Sequence, residues 1–207
     1  MKTKVKICGI RTIEGAQTAM INGADFLGFN FVRDSHRHIS SEQARKIIET
    51  LSTNVKIVGV FRDEKIDEIK KIIAYLKLDF VQLHGSEGKE YSALTQYAGV
   101  IKTISVPSDF NSEKTLEIME NYDVDYFLFD REKQGKGLPL TLTKLIPIAS
   151  KYKIFLAGGL TEENVSDAIR VVHPFSVDVT SGVETEGKHD SEKIKLFINA
   201  AKSVTIS

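Results

Sequence analysis

Ionisable and nucleophilic side chains occur at alternate positions in several short apolar segments. In the first of these segments, Lys6 and Cys8 alternate with Val5 and Ile7. The same alternation recurs along the chain at Gln82, His84, Lys102, Asp130 and Asp178. Because side chains of a β-strand point alternately to opposite faces, these groups are expected to share one face. Burying an unpaired charge is costly. A face with this many ionisable groups therefore predicts a polar chamber, and functional sites are where pKa values are commonly shifted.

Eight short segments rich in β-branched and aromatic residues alternate with longer amphipathic segments. The predicted strands begin near Lys4, Asp25, Val55, Asp79, Val100, Val124, Lys153 and Ser176, at intervals of about 21 to 30 residues. Predicted helices include residues 41–51, 63–76, 112–121, 161–172 and 190–203, each opened by a Ser, Asp or Thr suited to an N-cap.

Eight strand–helix units predict an α/β fold, a single-domain (β/α)8 TIM barrel with parallel strands that spans residues 1–207. An open doubly wound sheet is the alternative. It is disfavoured because the turn after the first strand lacks the Gly-rich motif of dinucleotide-binding sheets. In a barrel, the polar face becomes the interior, and the polar groups lie toward the carboxyl ends of the strands.

Two glycine-rich turns follow the last two predicted strands. Gly158 and Gly159 lie in the first turn, and Thr180, Ser181 and Gly182 lie in the second. Glycine lets backbone N–H groups approach an anion closely, and a helix N-terminus adds a favourable dipole. Because the loops after strands 7 and 8 are the usual phosphate site of a barrel, these five residues are predicted to bind phosphate. The alternative is that both are ordinary turns.

Composition and charge argue against several classes of function. Hydrophobic residues make up 42% of the chain and charged residues 27%, as in globular proteins. The 28 Lys and Arg residues balance 28 Asp and Glu residues, so neither nucleic acid nor a membrane surface is an expected partner. The lone cysteine and the absence of a secretory signal predict a cytoplasmic protein. His36 and His38 lack further ligands at suitable spacing, so no metal is expected.

Six motifs are specific beyond the general pattern of a barrel. They are KICGI at residues 6–10, VGVF at 58–61, VQLHG at 81–85, FD at 129–130, AGGL at 157–160 and VDVTSGVE at 177–184. With these motifs in order, the whole chain closely resembles the phosphoribosylanthranilate isomerase family. The resemblance implies a (β/α)8 barrel of tryptophan biosynthesis that needs no cofactor. It implies an Amadori rearrangement of N-(5-phosphoribosyl)anthranilate to 1-(2-carboxyphenylamino)-1-deoxyribulose 5-phosphate.

The resemblance also implies that Cys8 is the general base and Asp130 the general acid. Opening a furanose requires a proton on the ring oxygen, and tautomerising the resulting imine requires removal of a proton from the adjacent carbon. Cys8 is then expected to be substantially thiolate, with its usual pKa of about 8.5 lowered by a nearby ammonium such as Lys6 or by adjacent strand-end dipoles. Asp130 is expected to be protonated, which a desolvated site favours. The structural alternatives are a small buried hydrophobic residue for Cys8 and a helix N-cap or turn residue for Asp130.

Further substrate contacts are expected around this pair. By resemblance, Arg37 meets the anthranilate carboxylate, for which its planar guanidinium is suited; a solvated loop charge is the alternative. Asp178 is expected to accept hydrogen bonds from sugar hydroxyls, and Lys6 is included among the substrate-binding candidates. Gln82 and His84 are either substrate-binding groups or barrel-filling groups that satisfy each other. The expected partner is a phosphorylated small molecule, and both a monomer and a homodimer are left open.

The chain departs from the family pattern after Asp130. Residues 131–140 form a shorter loop than is usual, and the chain contains no Trp. The Gly135–Lys136–Gly137 sequence has the glycine-hinged character of a lid. Two other functions are weighed against the isomerase: epimerisation or decarboxylation of another sugar phosphate, and a catalytically silent barrel that senses phosphorylated metabolites.

Overall fold

Eight parallel strands close into a barrel in which sequence neighbours are also spatial neighbours. The structure, a computed structural model, describes residues 2–51, 54–107, 109–131 and 141–205. The strands are β1 (Lys4–Cys8), β2 (Phe26–Asn30), β3 (Lys56–Phe61), β4 (Phe80–Leu83), β5 (Gly99–Val106), β6 (Tyr126–Arg131), β7 (Ile154–Ala157) and β8 (Ser176–Val179). Pairing of β1 with β8 closes the barrel. The predicted parallel (β/α)8 barrel is confirmed.

Helices follow the strands and cover the outside of the barrel. They are α1 (Ile13–Ile21), α2 (Ser41–Ile48), α3 (Ile66–Leu76), α4 (Ser112–Met119), α5 (Thr141–Lys144), α6 (Ile146–Ala149), α7 (Val165–Val172) and α8 (Ser191–Ser203). A 3-10 helix (Lys89–Gln96) follows β4, and a shorter one (Ser181–Val183) follows β8. The chain then forms a small antiparallel hairpin of β9 (Glu184–Thr185) and β10 (Lys188–His189) before α8.

Several predicted helix boundaries are wrong by a few residues. Helix α3 begins at Ile66 rather than at Asp63, because Asp63 has a left-handed φ of 53° and its carboxylate accepts a hydrogen bond from the backbone N–H of Ser86. Helix α7 begins at Val165 rather than at residue 161. Helices α2 and α4 end before residues 51 and 121. At these positions the chain forms turns that side-chain hydrogen bonds stabilise, although the hydrophobic periodicity of the sequence predicts helix.

The lower part of the barrel interior is filled by apolar side chains. Phe26, Val58, Ile101, Leu128 and Phe155 form a cluster that is separate from the larger core between the barrel and its helices. Aromatic rings at the amino ends of the strands pack edge to face, with the Phe26 and Phe155 centroids 5.2 Å apart. This apolar filling confines the polar interior positions to the carboxyl ends of the strands.

Lys102 does not lie in the barrel interior, contrary to the prediction. In the register of β4 with β5, Ile101 is opposite Gln82, and it is Ile101 that belongs to the interior cluster. The Lys102 ammonium instead donates hydrogen bonds to Glu87 Oε2 and to Gly85 O, each at 2.7 Å. Residues 100 and 101 are both apolar although their side chains point to opposite faces of the strand. The alternation of polar and apolar residues therefore could not show which of them faces the interior.

Gly28 provides the space in which the polar part of the interior is built. It lies opposite Cys8 in the register of β1 with β2. A methyl group at this position would lie 2.7 Å from Cys8 Sγ and 3.1 Å from Lys6 Nζ. Contacts this short force neighbouring atoms to move, so glycine at residue 28 is a packing requirement of the site.

We expect Gly28→Ala to destabilise the fold by about 1 to 3 kcal/mol, because the added methyl overpacks a buried site whose neighbours cannot move away. Urea denaturation followed by circular dichroism measures the change. Gly88→Ala is the matched control, since the atoms nearest to its added methyl belong to the flexible Glu90 side chain. Equal stability of Gly28→Ala and the wild-type protein would show that the site is not tightly packed.

Candidate active site

A cavity of about 470 Å³ opens at the carboxyl ends of the barrel strands. Its lining includes most of the predicted site residues: Cys8, Arg37, Gln82, His84, Asp130, Gly158, Gly159, Asp178, Thr180, Ser181 and Gly182. These residues come from the ends of β1, β4, β6, β7 and β8 and from the loop after β2. The structure therefore brings nearly all of the sequence-predicted groups into one cavity, as barrels place their active sites.

Lys6 is the exception, because it lies behind the cavity wall. Its side chain is 0% exposed, and its ammonium is 3.0 Å from Asp178 Oδ1. Burial lowers the pKa of Lys6, but the charges of Asp178 and Cys8 outweigh burial and raise it above the usual value. The expectation that Lys6 contacts substrate is not supported by this placement. Lys6 is instead the buried counter-ion of Asp178.

Cys8 lies at the end of β1 and is 7% exposed. Burial raises the pKa of the Cys8 thiol, and the Asp178 carboxylate adds to this effect, whereas Lys6 lowers the pKa. The net result is a pKa above the usual value. The expectation of a lowered pKa is therefore wrong, because it counted the ammonium without the burial and the second charge. Lys6 limits the increase rather than reversing it.

Asp130 lies at the end of β6 with its carboxylate 3.5 Å from His84 Nε2. The other ring nitrogen, His84 Nδ1, is 3.2 Å from the amide nitrogen of Gln82. With the Gln82 amide in this orientation, its nitrogen donates to Nδ1, and the hydrogen of the neutral ring is on Nε2, facing Asp130. Burial lowers the pKa of His84, so the neutral ring dominates at neutral pH. The structural alternative is correct only in part: Gln82 and His84 share this one hydrogen bond, but within the described residues Gln82 Oε1 is buried without a hydrogen-bond partner, and both residues line the cavity.

The two glycine-rich turns form one continuous section of the cavity wall. Gly158 and Gly159 both have positive φ, 85° and 66°, which glycine adopts without strain. A methyl group on Gly182 would lie 1.9 Å from Leu160 O, so the second turn packs directly against the first. Glycine is thus required at these positions by conformation and by close approach, and residues of both turns line the cavity.

Arg37 is held in the cavity wall by two hydrogen bonds to one carboxylate, and its side chain lies near Thr180: a methyl group on Gly9 would lie 2.9 Å from Arg37 Cδ and 3.1 Å from Thr180 Cγ2. Its Nε donates to Glu184 Oε1 at 2.8 Å, and its Nη2 donates to Glu184 Oε2 at 2.6 Å. These bonds hold the pKa of Glu184 below its usual value. The Arg37 side chain is 20% exposed, and the Glu184 side chain is 5% exposed. The alternative of a solvated loop charge is wrong for Arg37.

Comparisons with known proteins agree with this arrangement. A family model described as N-(5'phosphoribosyl)anthranilate (PRA) isomerase matches residues 5–200. The N-(5'-phosphoribosyl)anthranilate isomerase of Bacillus cereus strain AH820 is 43% identical, covering 96% of this chain and 98% of the relative. The phosphoribosyl anthranilate isomerase of Thermotoga maritima superposes with a TM-score of 0.89 at 38% identity, covering 98% of this chain and 100% of that one.

The chain belongs to the N-(5'-phosphoribosyl)anthranilate isomerase family. The expected enzyme class, an isomerase of tryptophan biosynthesis, is confirmed at this level. Another solved member of the family is in complex with reduced 1-(o-carboxyphenylamino)-1-deoxyribulose 5-phosphate. That structure has a TM-score of 0.87 and 37% identity, and the match covers 98% of this chain and 100% of that one.

Two cavity residues of this family member, and one residue that contacts the cavity residue Arg37, were not identified from the sequence. Asn30 ends β2 on the interior face, and its side chain holds the following loop by donating to Ser35 Oγ and accepting from the backbone N–H of Val32. A polar residue at the end of an otherwise apolar strand is the sequence feature that could have identified Asn30. Arg62 lines the cavity after β3 without any motif to indicate it. Glu184 lay inside a recognised motif, but no local pattern indicates that it pairs with a residue 147 positions away.

The loop predicted at residues 131–140, with the glycine-hinged lid predicted at residues 135–137, lies outside the described residues apart from the end of β6. Over the described ranges, no three His, Cys, Asp or Glu side chains cluster as metal ligands. None of the described helices is both long and apolar enough to cross a membrane.

We expect the Cys8 thiol to titrate above its unfolded pKa of about 8.5, because burial and Asp178 together outweigh Lys6. Protein labelled with ¹³C at cysteine Cβ gives one resonance that follows the ionisation, since Cys8 is the only cysteine. The same sample in urea is the control. A folded midpoint at or below the unfolded midpoint would contradict the balance of charges described above.

Proposed function

We propose that this chain catalyses the Amadori rearrangement of N-(5'-phosphoribosyl)anthranilate to 1-(2-carboxyphenylamino)-1-deoxyribulose 5-phosphate by general acid–base catalysis. The observation that carries the proposal is the common cavity of Cys8 and Asp130, which also contains a glycine-lined turn pair and an arginine. A nucleophilic thiol and a carboxyl group are the two proton carriers that this isomerisation needs. The bound ligand of one solved relative, a reduced form of this product, supports the same substrate class.

The charges of the cavity are arranged to orient a phosphorylated, carboxylated substrate. We assign the phosphate to the turns at Gly158, Gly159 and residues 180–182, which line the cavity and whose glycines allow the backbone to approach an anion closely. We assign the anthranilate carboxylate to Arg37, because a guanidinium binds a carboxylate through paired hydrogen bonds. The ribose then lies between these anchors, near Asp178, whose second carboxylate oxygen can accept from a hydroxyl.

In the proposed reaction, Asp130 gives a proton to the ring oxygen of the ribose. The C1′–O bond breaks as the nitrogen lone pair forms an iminium with C1′. The Cys8 thiolate then removes the proton on C2′, which produces an enolamine. Transfer of the hydroxyl proton away from O2′ and return of a proton to C1′ give the ketone, so atoms and charge balance without a cofactor.

The electrostatics of the free site suit these roles differently. A neutral His84 places no positive charge beside Asp130, as suits a carboxylic acid that must release a proton. The raised pKa of Cys8 means that only a minor fraction is thiolate at neutral pH. A thiolate with a high pKa is, in compensation, a stronger base once formed. Lys6 and Thr180 both stabilise that thiolate through hydrogen bonds.

We expect Cys8→Ser and Asp130→Asn each to lower kcat by at least about 100-fold, the scale of lost general base or acid assistance. Each substitution keeps the size of the side chain and removes its proton-transfer capacity near neutral pH. Turnover of N-(5'-phosphoribosyl)anthranilate by purified protein, followed by fluorescence or chromatography, measures the effect. Binding of the reduced product analogue should survive in both variants, since neither residue anchors the phosphate or carboxylate.

Asp123→Asn is the control for the carboxylate change, because Asp123 is exposed on the loop before β6, at the opposite end of the barrel. It should retain the wild-type kcat. Unchanged kcat in Cys8→Ser or Asp130→Asn would remove that residue from the mechanism. A wild-type protein that binds the analogue but does not turn over substrate would refute the proposed activity and favour a sensor.

A further inference from the structure

We propose that Glu184 is a positioning residue that holds the Arg37 guanidinium so that its free edge faces the carboxylate of the substrate. The inference rests on the proposed function, because that function assigns the substrate carboxylate to Arg37. Glu184 itself is not among the residues that line the cavity, whereas Arg37 is. The two side chains therefore form two layers, with the carboxylate of Glu184 behind the guanidinium.

The hydrogen-bond geometry leaves one edge of the guanidinium available. A guanidinium has five N–H groups, arranged so that two different edges can each bind a carboxylate through two parallel bonds. Glu184 occupies the edge formed by Nε and Nη2 of Arg37. The edge formed by the two terminal nitrogens keeps one N–H of Nη2 and one of Nη1. Arg37 can thus bind a second carboxylate without releasing Glu184.

The hairpin of β9 and β10 fixes Glu184 before any ligand arrives. Glu184 pairs with His189 across the hairpin, and its carbonyl accepts a hydrogen bond from Lys193 Nζ at 3.1 Å. His189 Nε2 donates to the carbonyl of Cys8 at 3.1 Å, which joins the hairpin to the end of β1. A functional group held in this way by rigid neighbours is preorganised for binding.

Arg11 connects the same hairpin to the loop that carries Arg37. Its guanidinium donates to the carbonyl of Gly187 at the hairpin turn and, at 3.0 Å, to the carbonyl of His36. The backbone N–H of Arg37 donates to Ser35 Oγ at 3.1 Å, which fixes the base of its side chain. The backbones on both sides of the Arg37–Glu184 pair are therefore held in place.

Removing Glu184 has two opposing effects on a bound carboxylate. It removes a like charge, which favours binding, and it frees a long side chain that binding must then order, which disfavours binding. In the described ranges, Glu184 is the only side chain that accepts a hydrogen bond from the Arg37 guanidinium. Because the guanidinium stands between the two carboxylates and neutralises their repulsion, we expect the loss of orientation to dominate.

The test compares two ligands across four proteins by isothermal titration calorimetry. The ligands are reduced 1-(o-carboxyphenylamino)-1-deoxyribulose 5-phosphate and its counterpart without the carboxyl group on the phenyl ring. The proteins are wild type, Glu184→Gln, Arg37→Lys and Glu186→Gln. Glu186 is exposed at the turn of the same hairpin, so its variant removes an equal charge without touching Arg37.

We expect Glu184→Gln to weaken binding of the carboxylated ligand by about 10- to 100-fold, as expected for a lost charge-assisted hydrogen bond, and to leave binding of the other ligand unchanged. KM should increase by a similar factor while kcat stays within about threefold, since Glu184 does not touch the reacting atoms. Glu184→Asp, which keeps the charge, should lose less. Glu186→Gln should match wild type.

Three results would overturn the proposal in distinguishable ways. Tighter or unchanged binding of the carboxylated ligand by Glu184→Gln, together with weakened binding by Arg37→Lys, would refute the role of Glu184 alone. Unchanged binding by Arg37→Lys would refute the role of Arg37, and with it this part of the proposed function. Equal loss for both ligands in Glu184→Gln would indicate a general structural role rather than a positioning one.

Discussion

The buried ion pair of Lys6 and Asp178 is the interaction on which the rest of the site depends. Both charges lie at the centre of the barrel, where desolvation is costly unless each charge has a partner. The two residues are direct partners in the pairing of β1 with β8, the pair of strands that closes the barrel. The strand pair that closes the barrel therefore also forms the charged centre. Cys8 lies two residues beyond Lys6 on the same face of β1, so the same strand register determines its position.

The barrel interior has an apolar part and a polar part. Aromatic and aliphatic side chains fill the amino end, and polar groups meet only at the carboxyl end. Burial by the apolar layer raises the pKa values of Cys8 and Asp178 and lowers that of His84, so each of these groups favours its neutral form more than it would in water. The ammonium of Lys6 moderates the first two effects. The site therefore contains three ionisable side chains whose pKa values depart from their usual range.

The sequence predicted the fold and most of the cavity because strand alternation is a strong local signal. Lys6, Cys8, Asp130 and Asp178 stand out as polar residues among apolar neighbours, and a closed barrel necessarily brings the ends of its strands together. The prediction failed at Lys102, where two adjacent apolar residues hide the register. It also failed for the net pKa of Cys8, which depends on burial and on a charge 170 residues away in sequence. Long-range pairs such as Arg37 with Glu184 have no local signature at all.

The most direct test of the account is the pH dependence of kcat/KM for N-(5'-phosphoribosyl)anthranilate, measured beside the ionisation of the Cys8 thiol. The measurement is made on Asp130→Asn, because in the wild-type protein the ionisation of the acid also shapes the profile. If the thiolate is the general base, the residual kcat/KM of Asp130→Asn increases with pH through a midpoint that coincides with the raised thiol pKa of the same variant. The residual activity of Cys8→Ser should lack this increase. A midpoint well below the thiol pKa, or the same increase in Cys8→Ser, would contradict the assignment of Cys8 as the base.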